Sequence, residues 1–195
     1  MNKLINFDEK EHIYRCNGFI VPSVTQIMKP LSDDEYGGID EAVMRKAAER
    51  GSAVHHAIET RINFGFDDIP SEYAGYLEAF MKFFRDYPIE NPKTESVVYN
   101  EIHQYAGSVD LIATIDGKRM LIDYKTTASV LMKLVSVQLA AYKKAAEQGG
   151  EQIDGTAVLH LSKDGTYKFI PNDGEREGWQ VFQALNTIYK YKNKK

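Results

Sequence analysis

Asp110, Asp123 and Lys125 are the residues whose types and spacing invite chemistry. They lie in Tyr105-Ala-Gly-Ser-Val-Asp-Leu-Ile-Ala-Thr-Ile-Asp-Gly-Lys-Arg-Met-Leu-Ile-Asp-Tyr-Lys-Thr-Thr127, two apolar runs joined at Asp116-Gly117. An Asp-Gly pair in that position favours a two-residue hairpin turn, because a type I′ turn needs positive φ at both residues. With Ile115 opposite Lys118, pairing outwards sets Asp110 opposite Asp123 and Ser108 opposite Lys125. Facing side chains on one side of such a pair stand about 4.5–5.5 Å apart. Two carboxylates at that spacing repel each other. Val109, Leu111, Ile112, Leu121 and Ile122 are apolar on both faces, so the sheet is expected to be covered rather than wet. A covered pair of carboxylates needs a partner. A hard divalent cation, Mg²⁺ or Mn²⁺, is the natural one. Lys125 shares a face with Asp123 and is aimed at whatever such a cation holds.

Further candidates lie on two helical stretches. In Arg50-Gly-Ser-Ala-Val-His-His-Ala-Ile-Glu59, the residues Gly51, His55 and Glu59 recur every four positions and share a helix face. Glycine inside a helix costs about 1 kcal/mol against alanine, so it marks close approach of another backbone or of a ligand. Either His55 is the third ligand the acid pair lacks, or it is a satisfied core histidine. His56 points about 100° away and reads as structural. Gln138 and Tyr142, one turn apart, are placed to reach a bound water or a phosphate, although tyrosine at such a position is commonly core. The hydroxyls of Thr126 and Thr127 can hold a phosphate or cap the next helix.

These residues need scaffolding. Short strands are expected over 4–21, with Ile13-Tyr14-Arg15 and Phe19-Ile20-Val21 turning at Asn17-Gly18. A short helix begins at an N-cap Ser23 and ends at Pro30. Residues 31–38 are polar and glycine-containing and read as a loop. Helices are expected at about 40–63 and 71–87, then a strand at about 94–101, the central hairpin and a helix at about 129–148. A second hairpin pairs about 154–162 with 166–171 through Lys163-Asp164-Gly165, and a helix from about 174 to 191 ends the chain. The order points to a mixed α/β fold, and no linker divides the 195 residues, so a single domain spanning 1–195 is expected.

Composition narrows the classes. An apolar fraction of 43% with 27% charged residues suits a globular domain with a full core. The single cysteine, Cys16, rules out a disulfide framework, an iron–sulfur cluster and a thiolate zinc site, and favours a reducing compartment such as the cytoplasm. No apolar run approaches the roughly 20 residues of a membrane span. The net charge of −4 counts mildly against nucleic acid, but local charge decides binding. After Val181 there are Lys190, Lys192, Lys194 and Lys195 and no acid.

Taken in order, Gly51-x-x-x-His55, Glu95, Gly107-x-Val-Asp110, Asp123-Tyr-Lys125 and Gln138-x-x-x-Tyr142 resemble the PD-(D/E)XK nuclease superfamily in its RecB-like branch. Val21-Pro-Ser-Val-Thr25 and the carboxy-terminal strand, Lys163-Asp-Gly165, strand and helix are similar to phage RecB-like exonucleases and the mitochondrial genome maintenance exonuclease. The resemblance implies a restriction-endonuclease-like core, a central mixed sheet flanked by helices. It implies metal ligands at His55, Asp110, Asp123 and the carbonyl of Tyr124, and Lys125 as catalytic lysine. It places Glu95, Ser108, Thr126, Gln138 and Tyr142 behind the ligands or against substrate. The iron–sulfur subgroup of this branch needs four cysteines and is excluded. The implied activity is Mg²⁺- or Mn²⁺-dependent hydrolysis of DNA in phage or bacterial recombination and repair, as an exonuclease on single strands or free ends. A loop at 31–38 arching over the site would impose that need for an end, with Tyr36, Phe64 and Phe66 available to stack bases. An endonuclease or resolvase would share the metal site and differ in access. A catalytically dead DNA-binding subunit would show a damaged motif, and none is damaged.

Overall fold

The computed structural model describes residues 5–8, 11 and 13–194; residue 4 of the first expected strand and Lys195 of the basic tail lie outside them. Two sheets are present among the described residues. A small one joins β1 (Ile5–Asp8), β2 (Ile13–Cys16) and β3 (Phe19–Val21), all antiparallel. The main sheet has the order β4 (Ile89–Asn100), β5 (Tyr105–Ile115), β6 (Lys118–Lys125), β7 (Gly155–Leu161), β8 (Tyr167–Pro171). Its neighbours are antiparallel except β6 and β7, which run parallel. A parallel pair needs a crossover, and α4 (Met132–Gln148) supplies it. The two sheets meet where the Ala106 N–H donates to the Pro22 carbonyl at 2.9 Å.

Helices cover both faces. On one, α1 (Val24–Tyr36), α4 and α5 (Glu175–Lys192) bury Ile27, Leu139 and Phe182 against Val109, Ile112, Leu121 and Val158. On the other, α2 (Glu41–Phe64) and α3 (Ala74–Asp86) bury Ile58, Phe80 and Phe83 against Leu111, Ala113, Ile122 and Leu159. This is a mixed α/β fold with a five-stranded sheet flanked by helices, consistent with the restriction-endonuclease-like core.

The expected turn is present: Asp116 and Gly117 both have positive φ, 49° and 73°. Ile115 does face Lys118, and the register runs on to Leu111 opposite Ile122. There the recorded ladder stops, so the expected facing pairs Asp110–Asp123 and Ser108–Lys125 are not ladder pairs. The cause lies in β5. Val109 faces the α4 side, and Leu111 faces the α2 side. On a regular strand residues two apart share a face, so the pleat slips by one at Asp110. Across β4, Glu95 stands at the matching place in the register, between Thr94↔Leu111 and Ser96↔Val109, with φ at 42°. A non-glycine residue in the left-handed region is costly and persists only where its surroundings enforce it.

The expectation that Pro30 ends α1 and that 31–38 form a loop is overturned. The helix continues through Pro30 to Tyr36 and is capped by Gly37. Proline forfeits one backbone bond, but Leu31 beyond it packs on the core and Lys29 pairs with Asp33 at 2.8 Å. The start is as expected: the Ser23 hydroxyl accepts from the Gln26 N–H while the Gln26 side chain accepts from the Ser23 N–H.

Two glycines differ in what they leave room for. A Cβ on Gly51 would meet nothing within 4 Å, so no second backbone packs there. A Cβ on Gly107 would lie 2.4 Å from Cε1 of Tyr142. Gly51→Ala should therefore raise metal-free stability by about 0.5–1 kcal/mol through helix propensity. Gly107→Ala should lower it by about 1–3 kcal/mol through overpacking. Urea midpoints of the two variants check this; the opposite signs would contradict the packing described.

Candidate metal centre and active site

The slipped pleat sets the position of Asp110. Its neighbours face opposite sides of the sheet, so its carboxylate lies between β5 and β6. There Oδ2 accepts the backbone N–H of Tyr124 at 2.6 Å, a bond a carbonyl would otherwise take. The other oxygen, Oδ1, is 3.4 Å from Nδ1 of His55 on α2. Glu95 approaches the same nitrogen at 3.9 Å through Oε1, and its Oε2 accepts from the Ser108 hydroxyl at 3.0 Å. One ligand atom each from His55, Glu95 and Asp110 lie within 4.8 Å of one another. The His55 ring stands edge-on to Tyr124, centroids 5.4 Å apart, and Tyr124 is itself packed on Phe80.

Asp123 faces the α4 side and is 4% exposed at its side chain. Lys125 Nζ sits 2.8 Å from its Oδ2 and 3.4 Å from the Gln138 side-chain oxygen, and Gln138 donates to the Tyr142 hydroxyl at 3.1 Å. Buried Oδ2 has the Lys125 ammonium as its one ion-pair partner among the described residues and no other hydrogen-bond partner there. Gly107, Tyr142, Gln138 and Lys125 thus form one chain of contacts that ends on Asp123. Gln138 and Tyr142, weak candidates by spacing alone, are what holds the lysine.

The charges are mutually dependent. Burial would lower the His55 pKa, but Asp110, Asp123 and Glu95 together push it up to about 9. Burial and the Asp110 charge raise Glu95 to about 7. Burial would also raise Asp110, yet His55 and Lys125 hold it below its ordinary value. Asp123, deeper, is raised by burial against the pull of Lys125. Lys125 is raised because its two aspartates outweigh its own burial. One imidazole nitrogen beside hard carboxylate oxygens, with a buried acid oxygen that has no partner besides Lys125 among the described residues, is a donor set that fits a divalent cation.

Of the remaining candidates, Thr127 donates its hydroxyl to the Ser129 carbonyl at 2.8 Å, and α4 begins only at Met132 with no side-chain cap. Neither threonine therefore caps that helix. Thr126 accepts from Nε of Arg50 at 3.3 Å. Tyr36 lies near enough to Lys125 to influence its protonation. Phe64 and Phe66 are exposed at the far end of α2. His56 and Glu59 line, with Tyr14, Thr25, Glu95 and Asp110, a groove of about 680 Å³ open to the centre. Sequence reasoning missed Arg50, which carries no recognisable spacing, and the left-handed backbone of Glu95.

A pH dependence follows for the metal-free protein. The folded-state pKa of His55 lies above its ordinary 6.5, so its contribution is full below 6.5 and lost as pH rises through about 9. Glu95 acts in the same direction between 4.5 and about 7. Stability in the presence of a chelator should fall from acid to alkaline pH across that window. Proton NMR of the His55 ring should show titration near 9, returning towards 6.5 in Asp110→Asn. A normal His55 midpoint in the unmodified protein would contradict the geometry.

One solved structure agrees with this architecture. A presumed exonuclease from Eubacterium rectale superposes with a TM-score of 0.53 at 15% identity, over 75% of this chain and 67% of that one, which is a likeness of fold. The protein SSO0001 aligns over 83% of this chain and 84% of its own at 13% identity, with a TM-score of 0.39. No curated protein matches. Residues 46–189, from α2 to the penultimate turn of α5 and including every acid of the cluster, match the PD-(D/E)XK nuclease superfamily, and the chain belongs to that superfamily of phosphodiester-hydrolysing nucleases.

Proposed function

We propose that this nuclease is a divalent-metal-dependent deoxyribonuclease of the RecB-like branch, a single domain that works as an exonuclease on single-stranded DNA or free DNA ends. The observation that carries it is the gathering of His55, Glu95 and Asp110 within 4.8 Å beside an Asp123–Lys125 pair. His55, Asp110, Asp123 and the Tyr124 carbonyl would hold the ion, with Glu95 level with Asp110 and able to join them. Bound there, Mg²⁺ or Mn²⁺ supplies Lewis acidity towards a phosphate oxygen and a water molecule. Asp110 and Asp123 fix the charge at the centre, and His55 must give up its proton to act as a ligand. Lys125, cationic and steadied by Gln138, neutralises charge that grows on the phosphate or orients the attacking water. Ser108 steadies Glu95, and Tyr142 steadies Gln138.

Exposed apolar surface near the site supports the preference for single strands. α1 ends at Tyr36, near enough to Lys125 to bear on its charge, and the α1–α2 turn and first turn of α2 present Ile39, Val43 and Met44 to solvent. An exposed apolar surface of this kind suits the bases of a single strand better than the phosphate exterior of a duplex. No helix among the described residues is long and apolar enough to cross a membrane.

End-labelled linear and circular single-stranded DNA, and linear duplex, test the reading in Mg²⁺, Mn²⁺ and a chelator. Linear single strands should be digested with either metal, circles spared, and the chelator should stop the reaction. Asp110→Ala, Asp123→Ala and Lys125→Ala should each lower the rate at least about 10³-fold while the fold persists. Cutting of the circle would replace the exonuclease reading by an endonuclease. Unchanged turnover in Lys125→Ala would remove that residue from the chemistry, and no cleavage of any substrate would leave a DNA-binding subunit.

A further inference from the structure

Arg50 is a cation that the metal centre does not use. It lies on α2, five residues before His55, and is only partly exposed. Among the described residues no carboxylate pairs with it. It is held instead by two neutral contacts. Its Nε donates to the Thr126 hydroxyl oxygen at 3.3 Å, and its guanidinium carbon lies 5.7 Å from the centroid of the Tyr76 ring. Tyr76 is buried, so the guanidinium rests on a fixed surface. Among the described residues neither terminal nitrogen has a hydrogen-bond partner, and the two form the fork that suits two oxygens of one phosphate. Thr126 accepts from Arg50 and so turns its own proton elsewhere, a further donor beside the fork. A half-buried cation in a chain of net charge −4, pinned by neutral groups and without an acid among the described residues, is arranged for an anion that arrives from outside.

The place of this anion follows from β6. Lys125 ends the strand and reaches Gln138 on α4, whereas Thr126 reaches Arg50 on α2. The two cations therefore address different points on a passing strand. We propose that Arg50 and the Thr126 hydroxyl form a subsite for a backbone phosphate neighbouring the one that is cut. The inference rests on the nuclease reading above and adds to it a binding residue outside the metal centre.

The test uses the full chain and a labelled single-stranded oligonucleotide, with cleavage followed in Mg²⁺ and binding in Ca²⁺. Arg50→Ala should raise the half-saturating DNA concentration about 10- to 100-fold and leave the maximal rate within about threefold. Its plot of log affinity against log salt should be shallower by about 0.7, one phosphate contact on a single strand. Arg50→Lys should restore the slope but only part of the affinity. Neutral methylphosphonate placed at each linkage in turn should penalise the unmodified protein at one linkage beside the cleaved bond, and Arg50→Ala should be indifferent there. An Arg50→Ala protein with the parental salt slope and the parental methylphosphonate penalty overturns the subsite, whatever its melting temperature. If the parent cuts nothing, the nuclease reading fails, and the salt slopes in Ca²⁺ still decide the fate of Arg50.

Discussion

The structure depends on a row of acids held closer than they would choose. Glu95, Asp110 and Asp123 come from three successive strands, and no arrangement of a covered sheet makes such neighbours favourable without counter-charge. Two cations provide it from opposite sides: His55 descends from α2 on one face, and Lys125 is braced by α4 on the other. Removing either side would leave buried charge uncompensated, a far larger loss than a surface ion pair. The raised pKa values of His55 and Lys125 and the lowered one of Asp110 are three views of that same balance.

The backbone is bent to allow it. A regular β5 would send Asp110 to one face of the sheet, either under α2 or under α4. The slip between Val109 and Leu111 sets it between the faces, where one carboxylate can satisfy the Tyr124 N–H and meet His55 at once. The left-handed φ of Glu95 is the partner strand's share of the same irregularity. Strain of this kind belongs where geometry matters more than stability. The rest of the sheet is conventional, with apolar side chains alternating towards two helical layers, and it supplies the burial that holds the irregular row in place.

Much of this was legible in the sequence, for definite reasons. Asp116-Gly117 fixed the hairpin because few other pairs accept two positive φ angles, and the helix and strand order followed from apolar periodicity. Asp110, Asp123 and Lys125 were singled out because two acids and a lysine at those spacings have little else to do in an apolar setting, whereas spacing alone left His55 open between a ligand and a core histidine. The facing of Asp110 and Asp123 was misjudged because a register was carried past the point where the pleat slips, and no residue type announces such a slip. Pro30 misled because the local rule weighs the lost backbone bond and not the tertiary packing of Leu31 beyond it. Arg50 was invisible because its meaning lies in what surrounds it. A lone arginine in a helix is ordinarily a solvated face, and only Tyr76 and Thr126 make it otherwise.

The centre is also lopsided, which resolves the apparent conflict between a net charge of −4 and a polyanionic substrate. On the groove side Glu59, Glu95 and Asp110 outnumber the one cation His55, with uncharged hydroxyls around them. At the end of β6 lie Lys125, Thr126 and Arg50, and Tyr36 is close by. A phosphate backbone approaching a field of this shape is repelled by the acids and drawn to the cations, so attraction is stronger on the β6 side. Total charge cancels such differences; the gradient across a few residues does not. The groove-side acids are the ones a divalent cation at His55, Glu95 and Asp110 would screen, so the repulsion is local and removable while the attraction at β6 is built into the chain.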